Sequence, residues 1–254
     1  MILPMPKMHR FFLRFSSYPF FRLILFLCGN FSIPEMSVPL VDTFEGSSVE
    51  NEDVGPGDII ISHFSSFLDL FWLHYKYSPI FAVPNKDQKT VTVFSIYTCL
   101  QLFANQIPAG KVLKLENVVK AGRKWLCPIV IFPEGILKEN TNRISNFMMF
   151  GRNSNCENVK FHIIGFDHQI RKRDNFIFED INSFLGLLML LGNVLSRMKV
   201  KYALSQDIPR LNNNEIDELF LNKCKFVLST ISRINVEHKI FESNIEETNK
   251  IHKD

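Results

Sequence analysis

Two rhythms of apolar and polar positions run through this chain. Short apolar runs bounded by turn-forming residues predict strands at Asp58–Ser62, Ile80–Val83, Cys127–Phe132, Val159–Phe166 and Val200–Leu204, with an edge strand near Val38–Phe44. Apolar residues at helical spacing predict helices over Phe67–Tyr77, Thr90–Phe103, Glu116–Trp125 and Asn214–Arg233. In the first of these, Phe67, Leu70, Phe71 and His74 share a face. Strands alternating with helices predict an α/β domain, with a mixed sheet flanked by helices. The apolar block Phe184–Leu195 reads as a buried or interfacial helix, since it is shorter than the ~20 residues that span a bilayer.

The ends of the chain break this rhythm. Residues 1–34 carry Lys7, Arg10, Arg14 and Arg22 and no acid, interleaved with Phe11, Phe12, Phe15, Phe20, Phe21 and Phe26. The uninterrupted apolar stretch Leu23–Cys28 is too short to span a bilayer, and Pro19 interrupts the segment. A basic and aromatic mixture suits a segment lying at a membrane surface. Helices packed on the domain, or a mitochondrial targeting peptide, are the alternatives. The expected organisation is therefore a membrane-associated segment 1–34, a catalytic-type domain 35–235, and a charged tail 236–254.

Composition narrows the function. Lys and Arg total 29 against 26 Asp and Glu, a net charge of +3 that is too weak to argue for nucleic acid. The five cysteines are odd in number and scattered, so they read as reduced, buried thiols. Twenty-five phenylalanines point to a large core or to greasy surface that meets lipid.

Chemistry enters at two strand ends. The first predicted strand runs into His63-Phe-Ser-Ser-Phe-Leu-Asp69 and the third into Phe132-Pro133-Glu134-Gly135. A hydroxyl attacks a thioester only if a base takes its proton, and histidine titrates near neutral pH. A carboxylate on the second ring nitrogen would fix the tautomer, and Asp69 is close enough in sequence to His63 to do so. Ser65 or Ser66 can cap the helix that follows. Gly135 allows a sharp turn close to a ligand, and Glu134 could accept a hydrogen bond from a substrate hydroxyl. Taken alone, each motif also fits a plain capped helix or a solvated turn. No Gly-x-Ser-x-Gly elbow supports a hydrolase.

Taken together, the two motifs resemble those of the glycerolipid (lysophospholipid) acyltransferase superfamily, whose members carry Asn-His-x-x-x-x-Asp followed later by Phe-Pro-Glu-Gly-Thr. The resemblance covers roughly residues 58–166. Ser66-Phe-Leu-Asp69 is closest to the divergent fungal branch that acylates lysophosphatidic acid, whose first motif reads more like Ser-x-Leu-Asp. The resemblance implies a membrane-bound enzyme that moves a fatty acyl group from acyl-CoA to lysophosphatidic acid, giving phosphatidic acid. It implies no metal or other cofactor beyond acyl-CoA as co-substrate, and membrane lipid as partner. The implied location is a cytosol-facing endoplasmic reticulum or lipid droplet membrane, with a mitochondrial membrane as the alternative. His63 would be the base and Asp69 its orienting carboxylate. Ser66, Lys111, Phe132, Pro133, Glu134 and Gly135 would hold the acceptor.

The chain departs from the family pattern at four places. One extra residue separates His63 from Asp69, so alignment from Asp69 sets the family histidine on Phe64. Ile136 stands where the family has Thr. No arginine lies near residues 105–111, where Lys111 is the nearest cation, a point charge rather than a bidentate fork. Ile163-Ile-Gly165 replaces a Val-Pro-Ile strand. These departures motivate a second expectation, a non-catalytic lipid-binding protein or scaffold on the same fold.

Overall fold

A computed structural model describes residues 18–40, 53–99, 110–135, 143–144, 147–148, 150–151, 158–169, 197–209, 211, 216–232 and 235–236. The expected helix at Phe184–Leu195 and the charged tail lie outside these residues, as do residues 1–17. An eight-stranded mixed sheet forms the centre, in the order β1-β9-β8-β2-β6-β3-β4-β5. Its strands are β1 (Glu35–Val38), β2 (Ile59–Ser62), β3 (Ile80–Pro84), β4 (Thr90–Phe94), β5 (Lys111–Lys114), β6 (Ile129–Ile131), β8 (Phe161–Gln169) and β9 (Arg197–Ala203). A separate pair joins β7 (Arg143–Ile144) to β10 (Asn235–Val236). The α/β expectation therefore holds at the level of a mixed sheet with helices on both faces.

The four middle strands, β8, β2, β6 and β3, run parallel. Their sequences explain why they are central. Ile59-Ile-Ile61 and Ile129-Val-Ile131 are apolar at every position, as a strand covered on both faces must be, and all six side chains are fully buried. Ile60, Val130 and Ile164 turn to one face, beneath helix α1 (residues 18–27) and helix α2 (Phe67–Tyr77). Ile59, Ile61, Ile129, Ile131 and Ile163 turn to the other, beneath α4 (Leu115–Trp125) and α5 (Glu218–Ser232). A short α3 (Ile96–Cys99) follows β4.

The edge strand expected near Val38–Phe44 lies at Glu35–Val38 instead, stopped where Pro39 has no amide hydrogen to extend the ladder, and two further corrections to the sequence reading concern local structure. Thr90–Phe94 is a strand, not the start of a helix, and only Ile96–Cys99 of that stretch is described as helical. Thr90-Val-Thr-Val93 is a run of β-branched residues, stiff at χ1 and suited to a pleated surface. The preceding turn completes a hairpin: Asp87 accepts from the amides of Lys89 and Thr90, and Gln88 adopts φ +59°. The second correction is that β8 runs to Gln169, three residues beyond its expected end at Phe166. It overhangs β2, whose last pairing is Ser62 with Ile164.

Helix α1 is two-sided. Phe21, Leu25 and Cys28 are buried, with the Phe21 ring 5.6 Å from Phe71 of α2. Phe20, Leu23, Phe26 and Leu27 on the other side, and Phe31 beyond it, are about half exposed. Among the described residues, no helix is long and apolar enough to cross a membrane.

Candidate functional site at the carboxyl end of the sheet

In an open α/β sheet, ligands bind outside the carboxyl ends of the parallel strands. Here β2, β6 and β8 end side by side. They deliver His63, the turn Phe132–Gly135, and His168.

Asp69 is the hub of this end. It occupies the third position of α2, whose N-cap Ser66 has extended backbone angles and accepts from the Leu68 amide at 3.2 Å. Asp69 completes a capping box: its Oδ2 accepts from the amides of Ser65 and Ser66, both at 2.9 Å, and from the Ser65 hydroxyl at 2.8 Å. Of the two serines expected as caps, Ser66 is the one that caps α2, and its hydroxyl is engaged there. The carboxylate is completely buried. Its second oxygen, Oδ1, accepts from Nε2 of His168 at 2.6 Å.

His168 thus takes the place beside Asp69 expected for His63. The two histidines lie on opposite faces of the sheet. His63 follows the parity of Ile59 and Ile61 and turns toward α5, where its Nδ1 lies 3.3 Å from the Ser232 hydroxyl. Its Nε2 is buried without a hydrogen-bond partner, and the residue is 2% exposed. His63 therefore makes no hydrogen bond to Asp69. The extra residue between them is the cause, because moving one position along an extended chain reverses the face. Phe64 occupies the α2 side instead, with its ring edge-on to Phe67 at 5.6 Å and to Phe132 at 6.1 Å.

The electrostatics follow the geometry. Burial drives the His63 pKa down to about 4; attraction to Asp69 offsets part of this and repulsion from His168 adds to it. For His168, burial also disfavours the charged form, but the Asp69 charge and hydrogen bond outweigh it, and Asp167 adds to them, so its pKa is raised. For Asp69, burial would raise the pKa. The charge and hydrogen bond of His168, with help from His63 and the Ser65 amide, hold it below the usual carboxylate range.

The second motif forms the turn its sequence requires. The Gly135 amide bonds to the Phe132 carbonyl at 3.1 Å, and Gly135 has φ +85°, a conformation that favours glycine. Phe132 and Pro133 are buried, whereas Glu134 and Gly135 are half-buried. Phe132 is a core residue stacked on Phe81, with ring centroids 6.0 Å apart. β6 pairs directly with β2, so this turn and the segment leading into α2 are neighbours.

Lys111 is not brought to this turn. It begins edge strand β5, three inter-strand steps from β6, or about 14 Å across the sheet. A second histidine–aspartate contact, His162 with Asp58 at 3.3 Å, lies at the opposite end of β2 and β8. There Asp58 also accepts from the Gly55 amide and holds the launching turn.

His168 was missed because its partner lies 99 positions away in sequence. The available signal was the alternation Ile164, Phe166, His168, which continues one face of β8 past its expected end. Among the described residues, no group of three or more His, Cys, Asp or Glu is placed to hold a metal ion. No family model, curated protein or solved structure matches the chain.

Proposed function

We propose that this protein transfers a fatty acyl group from acyl-CoA to the hydroxyl of a lysophospholipid at a membrane surface, with lysophosphatidic acid as acceptor and phosphatidic acid as product. The observation that carries this reading is the buried Asp69 carboxylate with an imidazole on the oxygen its capping box leaves over, one strand away from the Phe132–Gly135 turn. A carboxylate–imidazole pair is the device that activates a hydroxyl near neutral pH. The acceptor oxygen loses its proton to the imidazole and forms a bond to the thioester carbonyl carbon. The carbon–sulfur bond then breaks, and the proton passes to the departing CoA thiolate. Glu134 and the Gly135 turn are suited to holding the acceptor beside the pair.

The outer face of α1 supports a membrane setting, because Phe20, Leu23 and Leu27 repeat at helical spacing and stay exposed. The setting proposed is a cytosol-facing endoplasmic reticulum or lipid droplet surface. Removal of the whole N-terminal segment is a poor test of attachment, since Phe21 and Leu25 belong to the core. Replacing Phe20, Leu23 and Leu27 together by Ser leaves the core side intact. This should release the protein from phosphatidylcholine and phosphatidic acid vesicles in a flotation assay, and unchanged flotation would count against the surface.

The activity is tested by incubating the purified protein with labelled oleoyl-CoA and a panel of lysolipids. Labelled phosphatidic acid that disappears in Asp69→Asn is the expected result. A second reading, a lipid-binding protein without catalysis, is favoured by the burial of His63. Lipid binding with no turnover on any acceptor would establish that reading.

A further inference from the structure

We propose that the base of this site is His168, supplied by β8, and that His63 has no catalytic part. This rests on the acyl-transfer reading above and names the residue that performs its proton transfer.

Three observations carry it. Asp69 Oδ1 has one imidazole partner, and it is His168 at 2.6 Å, with Nε2 donating. With Nε2 held as the donor, Nδ1 carries the lone pair and is the atom that takes a proton. The His168 side chain is 11% exposed and belongs to a strand that overhangs its neighbour toward the start of α2. His63, at 2% exposure, sits against Ser232 on the far face. Finally, the residue of the His63 segment that does turn to the α2 side is Phe64, whose ring packs on Phe67 and Phe132 and cannot take a proton. The imidazole beside the carboxylate therefore comes from β8 and not from the segment that leads into α2.

The ring is also held as a base must be. Phe166 stacks under it, with ring centroids 6.5 Å apart and planes 27° from parallel. The charged and titratable groups around it are Asp69 from α2, Asp167 on its own strand and His63 from β2. Asp167 is itself paired with Lys201 of β9 at 2.7 Å. Asp69 dominates this set, so the imidazole gains its proton more readily than a free histidine. The rate should therefore fall as pH drops through the raised His168 pKa.

The test uses the full chain on vesicles with oleoyl-CoA and lysophosphatidic acid. His168→Gln should lower kcat about 100-fold or more with little change in KM, while His63→Gln stays within about threefold of wild type. The wild-type protein supplies a check that needs no variant. The acid limb of its rate profile should coincide with the His168 imidazole titration followed by NMR on histidine-labelled protein. Two different midpoints overturn the proposal, as does a His168→Gln enzyme of normal rate. An active wild type that fails only these two checks overturns the assignment of His168 and leaves acyl transfer standing. A wild type inactive on every lysolipid overturns both.

Discussion

Two imidazoles stand at the same end of one sheet in opposite surroundings. On the α2 face, His168 meets a carboxylate whose every oxygen is engaged, and it remains partly open. On the α5 face, His63 meets one hydroxyl and is sealed. The first environment favours a proton and the second excludes it. Identical side chains at one end of the sheet are thereby given different chemistry by what their strands turn them toward. Proximity in sequence to an aspartate did not decide which one became the partner. Face did.

The largest way to break this contrast is to remove the hub. Asp69→Ala removes the carboxylate half of the capping box of α2 and leaves the largely buried His168 imidazole without its counter-charge, and should cost about 3–5 kcal/mol in urea unfolding. A loss below 1 kcal/mol would show that the pair is not buried as described. The next largest effect comes from pH. His63 has a folded pKa below its unfolded value, so stability falls as pH drops from about 6.5 toward 4, by on the order of 3 kcal/mol. His168 has the opposite sign. Its contribution is complete below about pH 6.5 and is lost as pH rises through its raised folded value. His63→Gln should flatten the acid side of the stability curve alone, and His168→Gln the alkaline side alone. Variants that flatten the same side would end the contrast.

Smaller effects sharpen it. A Cβ on Gly165 would lie 2.4 Å from the Ser232 hydroxyl and 2.9 Å from Ile231, so Gly165→Ala should push α5 off the sheet. A loss of about 1–3 kcal/mol is expected, with the NMR signal of His63 moving more than that of His168. Last, Ser66→Ala removes one cap acceptor and should cost about 1 kcal/mol by thermal unfolding, with the Asp69–His168 bond retained.

Much of the frame was legible because it is written locally. Ser65 or Ser66 reads as a helix cap, and the apolar face of Phe67–Tyr77 reads as a helix, from neighbouring residues alone. The runs of Ile and Val in β2 and β6 announce strands covered on both sides. Thr90–Phe94 was misread although its β-branched run carried the signal, since the apolar residues that follow also fit a helical face. The site was only half legible. Asp69 and the Gly135 turn show in their own segments, whereas the partner of Asp69 depends on β8 pairing with β2 and outrunning it. No spacing rule between His63 and Asp69 carries that information.

Lys111 has a consequence away from any substrate. Among the described residues, β5 is the last strand of the sheet, and Lys111, Val112 and Lys114 are exposed along it. An open edge is a template on which a second chain can add a strand, and Val112 alone would invite it. Two ammonium groups flanking that valine make such an addition bring like charges together. Copies of this protein that meet edge to edge would therefore separate rather than fuse, because this short basic edge offers no favourable strand to extend.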